Sequence, residues 1–145
     1  MIDLLRYPED TVGGIMTNEV ATISLQLTVG AALTELRERL KQPDFVHFIF
    51  VVDDADRRLR GVVTLRELLV AEDNQPVTQV MNSYVVTLQA LGTAHEAAYQ
   101  VINTQLAALP VVGQHGQLLG AVTVDAALAY AAPPSLRAQV PRVFS

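Results

Sequence analysis

The chain has 145 residues, half of them apolar, no cysteine and a formal net charge of −5, which excludes a disulfide framework, a thiolate metal site and a cysteine nucleophile. Lys41 is the only lysine and no basic stripe exists, so a nucleic-acid partner is excluded. No apolar window has the length of a bilayer span and no charged leader precedes an apolar segment, so the expectation is a folded cytoplasmic chain.

Residues 2–11 read as the end of one element and a turn broken by Pro8. Asp10 or Thr11 can cap a short helix over 12–16, weakened by Gly13 and Gly14. Ala21, Thr22 and Ile23 form a short strand. Val29, Ala32, Leu33, Leu36 and Leu40 recur at helical spacing, giving a helix that Pro43 ends. The unbroken apolar run over 48–52 reads as a buried strand, 53–57 as a turn and 59–64 as its hairpin partner. A helix over 66–70 fades at Asp73-Asn74-Gln75-Pro76. A second short lead-in helix covers 77–81. A strand is expected over 85–88 and a helix over 94–103, with Thr93 and Glu96 at capping-box spacing. Strands over 109–112 and 118–123 flank a turn at Gln114-His115-Gly116. A last helix over 125–131 stops at Pro133-Pro134, before a loose tail over 135–145.

The order of these phrases occurs twice. Met16, Val20-Ala21-Thr22-Ile23, Thr28, Val51-Val52-Asp53 and Gly61-Val62-Val63-Thr64-Leu65 return as Met81, Val85-Val86-Thr87-Leu88, Thr93, Val111-Val112-Gly113 and Gly120-Ala121-Val122-Thr123-Val124. Two such units pack together because neither buries its apolar faces alone. The pattern resembles a tandem pair of cystathionine-β-synthase-type (CBS) domains. The implied fold is α/β (α+β), with two pseudo-symmetric β-α-β-β-α repeats packed together. The expected divisions are a lead-in at 1–15, repeats at 16–76 and 77–132, and a tail at 133–145. The phrase from Tyr7 to Thr17, the aromatic Phe50 before Val51-Val52-Asp53, and the run from Gly61 to Ala71 are similar to the CBS region of MgtE-type magnesium channels. That resemblance implies a non-catalytic regulatory homodimer on the cytoplasmic side of a membrane transporter domain absent from this chain. Two departures stand out. Ala126 replaces the second acid of the family's Thr-Val-Asp-Asp, and the family's following acidic stretch is here alanine-rich.

For CBS repeats the resemblance implies an adenine-nucleotide site, in which a threonine and an acid three residues later hold the ribose hydroxyls. Thr64 and Glu67 fit that place, with Thr22 and Ile23 lining it; Thr87 and Thr123 are their counterparts in the second repeat. The alternative is structural: Thr64 finishes a strand and Glu67 caps a helix. Magnesium needs oxygen ligands, and Asp53, Asp54, Asp56, Glu67, Glu72 and Asp73 are candidates, against a solvated hairpin turn. All the acids except Glu96 and Asp125 lie in residues 1–73, which fits either an acidic cation-attracting face or a solvated first half. His47, His95 and His115 have no metal-ligand spacing, and no activated serine is evident. The helix faces bearing Val29, Leu33 and Leu36, and Ala97 and Val101, offer a dimer surface. Three functions remain: a magnesium-sensing regulatory module, an adenine-nucleotide sensor, or a dimerisation module with degenerate sites.

Overall fold

A computed structural model describes residues 7–42, 48–104 and 107–131. The expected breaks at Pro43 and Pro133-Pro134, the opening 2–6, His47 and the tail lie outside the described residues. The elements follow the predicted order: α1 (Val12–Ile15), β1 (Ala21–Ser24), α2 (Val29–Arg39), β2 (Phe48–Val52), β3 (Leu59–Thr64), α3 (Leu65–Val70), α4 (Val77–Val80), β4 (Leu88–Gln89), α5 (Ala94–Thr104), β5 (Ala108–Val112), β6 (Leu118–Thr123) and α6 (Val124–Ala131). They make two three-stranded sheets, ordered β1-β2-β3 and β4-β5-β6. β1 runs parallel to β2, and β2 pairs antiparallel with β3. None of the helices among the described residues is long and apolar enough to cross a membrane.

The chain divides into two compact units, and the division does not follow the repeats. One unit takes Glu19–Val85 with the short stretch His115–Leu118. The other takes the segment ending at Asn18, Val86–Gln114 and the segment from Leu119 onward. Each lead-in helix therefore serves the opposite repeat. Val12 of α1 lies in the core with Leu88, Ala97, Val101, Leu109, Val111 and Val122. Val77 of α4 lies in the core with Ile23, Val29, Leu36, Ile49, Val51, Val63 and Leu68. No buried polar or charged side chain occurs among the described residues, so burial in each unit is a hydrophobic term with little desolvation cost.

The first unit shows how the sequence produces this packing. The Thr28 hydroxyl accepts from the Ala31 amide (3.2 Å) and starts α2, which buries Val29, Ala32 and Leu36. Alternation along β1 sends Ala21 and Ile23 into the core and leaves Thr22 and Ser24 half-buried on the other face. The segment after α3 folds back: Val29 donates to Gln75 (2.8 Å), Gly30 to Asp73 (2.9 Å) and Val77 to Leu27 (3.0 Å).

Two expectations are corrected. The apolar faces of α2 and α5 are not free for a partner: Val29, Leu36, Ala97 and Val101 are buried in their own units. The large exposed apolar side chains include Leu69, Val70, Tyr84, Leu91 and Tyr99 instead. The strand expected over 85–88 is also shorter, because β4 begins only at Leu88 and pairs with Val111 and Val112.

The cause of that shortening is Pro110. In the first sheet, Val62 exchanges two backbone hydrogen bonds with Asn82 (3.0 and 2.8 Å). Its polar groups thus face away from β2, and Phe50 opposite it turns its own N–H toward β1. In the second sheet Thr17 and Ala121 exchange the equivalent pair of bonds (2.8 and 3.0 Å), and Pro110 occupies the place of Phe50. Proline has no N–H to offer the neighbouring strand. The rung at Val86 cannot form, and Val86 is exposed where its counterpart Ala21 is buried.

Candidate functional site

The register of the first sheet gathers the candidate ligand residues on one face. Thr22 lies opposite Phe50 on β2, Phe50 opposite Val62, and Thr64 opposite Phe48, two residues along. Side chains two apart on a strand share a face. Thr22, Thr64 and Val62 therefore stand on the face turned away from the core of Ile23, Ile49, Val51 and Val63. Thr22, Val62 and Thr64 are half-buried, and Phe50 between them on the same face is buried. Ile23 is placed differently from the expectation. It is 2% exposed and belongs to the core, so its side chain cannot line a ligand.

Thr64 and Glu67 form a complete capping box. The Thr64 hydroxyl accepts from the Glu67 amide (3.1 Å), and the Glu67 carboxylate accepts from the Thr64 amide (2.9 Å). This satisfies two of the orphan donors at the start of α3. It also fixes the hydroxyl and the carboxylate side by side at the end of β3. The structural and the binding reading thus share one geometry, since each carboxylate oxygen has two lone pairs and only one acceptor site is occupied by the cap. Glu67 itself is exposed.

The second repeat lacks this arrangement. The Thr123 hydroxyl accepts from the Ala126 amide (3.1 Å), which is half a capping box; Ala126 has no carboxylate to return. Thr87 precedes β4 and is exposed, so it does not share a strand face with Thr123 as Thr22 does with Thr64. Asp125 lies in the first turn of α6, where a negative charge meets the positive end of the helix.

The acidic candidates are engaged singly. Asp53 accepts from the Ala55 amide (2.9 Å) through Oδ1 and faces Arg60 Nη2 at 3.5 Å through Oδ2. Asp54 accepts from the Ser24 hydroxyl (2.8 Å). Asp56 accepts from the Arg58 amide (3.1 Å). These bonds build the β2–β3 hairpin turn, closed by Asp53 N–H to the Arg58 carbonyl (2.9 Å) and Arg57 N–H to the Asp53 carbonyl (2.8 Å). Glu72 and Asp73 are exposed in the turn after α3. Among the described residues no three acidic or imidazole side chains converge as a cation site. Sequence spacing does not single out Ser24 as a neighbour of the site. The available signal is its alternation with Ile23, which puts it on the Thr22 face beside the turn.

Comparison with known proteins agrees with this architecture. The CBS domain family matches residues 12–74 and 77–132. The chain is 38% identical over 122 residues to the magnesium transporter MgtE of Thermus thermophilus, a match covering 84% of this chain and 27% of that protein. The chain thus spans about a quarter of that relative's length. The crystal structure of the cytosolic domain of the Mg2+ channel MgtE in complex with ATP superposes with a TM-score of 0.81 at 36% identity, covering 89% of this chain and 52% of that one. The soluble part of a magnesium transporter gives a TM-score of 0.82 at 29% identity, covering 89% and 50%.

Proposed function

Because the chain belongs to the non-catalytic CBS domain family and is homologous to the cytosolic CBS region of MgtE-type magnesium transporters, we propose that it is a cytoplasmic-side regulatory module whose conformation responds to magnesium and is passed to a transporter domain. The observation that carries this reading is the match to a magnesium channel's cytosolic domain across nearly the whole described chain. The acidic first half supports it by charge: a divalent cation lowers repulsion between acidic surfaces, and the state it binds better gains population. The module acts as a homodimer, for which Leu69 and Val70 of α3 offer exposed apolar surface.

A second reading is favoured by one specific observation. The Thr64–Glu67 pair is intact beside a half-buried Thr22, and the similar cytosolic domain was crystallised with ATP. In this reading an adenine nucleotide occupies the first repeat alone, because Ala126 removes the carboxylate from the second.

Calorimetric titration of the metal-stripped chain separates the readings. Magnesium binding in about the millimolar range without nucleotide, weakened by joint Asp53→Asn, Asp54→Asn and Asp56→Asn replacement, supports cation sensing through that turn. Binding of ATP, AMP or adenosine at one site per chain, abolished by Glu67→Ala, supports the nucleotide reading. Silence toward all four ligands removes both and leaves a dimerisation module, whose mass by sedimentation is then the deciding value.

A further inference from the structure

We propose that Met16 and Met81 are paired oxidation sites through which a peroxide loosens the two exchanged lead-in segments. The residues occupy equivalent places. Met16 is the C-cap of α1 and Met81 the C-cap of α4. Met16 packs on the core that contains β5 and β6, and Met81 on the core that contains β2 and β3. Each sulfur rests over a glycine of the last strand in its sheet. A Cβ added to Gly61 would lie 2.7 Å from Met81 Sδ, and one added to Gly120 3.1 Å from Met16 Sδ. The residue after each methionine makes the two-bond backbone bridge to that same strand, Thr17 to Ala121 and Asn82 to Val62. Both methionines are half-buried rather than enclosed, which leaves part of each residue open to solvent in the folded chain.

The chemistry is a transfer of one oxygen atom. The thioether sulfur of methionine is oxidised by two electrons to the sulfoxide, the O–O bond of hydrogen peroxide breaks, and the peroxide leaves as water. The new S=O group is polar and demands hydration, whereas the thioether suits apolar packing. On the glycine side there is no volume for another oxygen, as the distances to a mere Cβ show. The sulfoxide therefore turns outward, and the lead-in segment leaves the strand with it. The neighbouring bridge has only two hydrogen bonds, so its local opening is sensitive to the loss of that anchor.

The test uses the full chain, exposed to graded hydrogen peroxide, with the sulfoxides located by peptide mass and amide hydrogen exchange read at Thr17, Ala121, Val62 and Asn82. Oxidation is expected to speed exchange at these four amides by about tenfold or more, with the β1–β2 amides unchanged. Methionine sulfoxide reductases should restore the protection. Met16→Leu should spare only the Thr17–Ala121 bridge, and Met81→Leu only the Val62–Asn82 bridge. Reductase reversal on the unsubstituted chain decides the matter even if a leucine variant folds poorly. Sulfoxides formed at both positions with exchange unaltered overturn the proposal, as does oxidation that proceeds only in denaturant.

Discussion

Arg57 has a φ of 59°, and Gly116 stands at the matching place in the second hairpin with a φ of 82°. A left-handed turn is thus required in both repeats, but only the second supplies the residue suited to it. Arg57→Gly should raise stability by about 0.5–1 kcal/mol, the relief of Cβ crowding less the extra freedom of glycine in the unfolded chain. Denaturant unfolding checks this, and a loss of stability would assign the arginine side chain a contact of greater worth than the strain. Thr64 acts in the opposite sense. Thr64→Ala removes the hydroxyl from the capping box and should cost about 1 kcal/mol, while Thr64→Ser retains the cap and should cost less. Equal losses in the two variants would mean that the methyl group, not the hydroxyl, matters. At this scale the sequence is legible where chemistry is local: Thr64 with Glu67, and Thr93, cap at the spacing expected. It is not legible for Asp53, Asp54 and Asp56. Spacing does not reveal that three neighbouring carboxylates each turn to a different donor.

The elements follow hydrophobic period closely because helix and strand in this chain bury opposite stripes. Val29, Ala32 and Leu36 mark α2 by themselves, and continuous burial of Ile49, Phe50, Val51 and Val52 follows from an apolar run with no polar interruption. The failure over 85–87 has a non-local cause. Val85, Val86 and Thr87 have high strand propensity, and propensity yields to the loss of a partner's N–H. Pro110→Val restores that donor. The expected result is a β4 that begins at Val86, with a slowly exchanging amide on the substituted residue and a gain of about 0.5–1 kcal/mol from one added hydrogen bond. An amide there that exchanges as fast as a free one would show that another feature holds 85–87 out of the sheet. The same register separates the repeats in geometry: Thr22 sits on a strand of the sheet that carries Thr64, and Thr87 lies outside β4.

For the whole molecule, internal repetition announces the fold but conceals how the repeats are assembled. Periodicity identifies which segments are alike, not which of two like seats each will occupy. The short helices after Thr11 and Pro76 fit the opposite repeat because Gly120 and Gly61 let a backbone come close. A Cβ on Gly120 would collide with the Thr17 carbonyl oxygen, and one on Gly61 would lie 3.0 Å from that of Asn82. Gly120→Ala should therefore cost about 1–3 kcal/mol and release the Thr17 bridge, read as faster exchange at Thr17 and Ala121 than at Val62 and Asn82. Gly92 provides the control, since the nearest atom to a Cβ there is the Gln89 carbonyl oxygen at 3.2 Å, and Gly92→Ala should cost less.

The crossing of the lead-in helices also sets an order in time. On the ribosome the segment ending at Asn18 is made before its seat on β6, which follows about a hundred residues later, a wait of roughly 5–20 s at ordinary elongation rates. The unit built on Glu19–Val85 has nearly all its strands in hand long before that and closes first. Contacts so distant in sequence form slowly once available. Until β6 is made Val12 and its neighbours are thus an apolar segment awaiting a partner, and slowing translation between Val85 and Leu118 would lengthen that exposure.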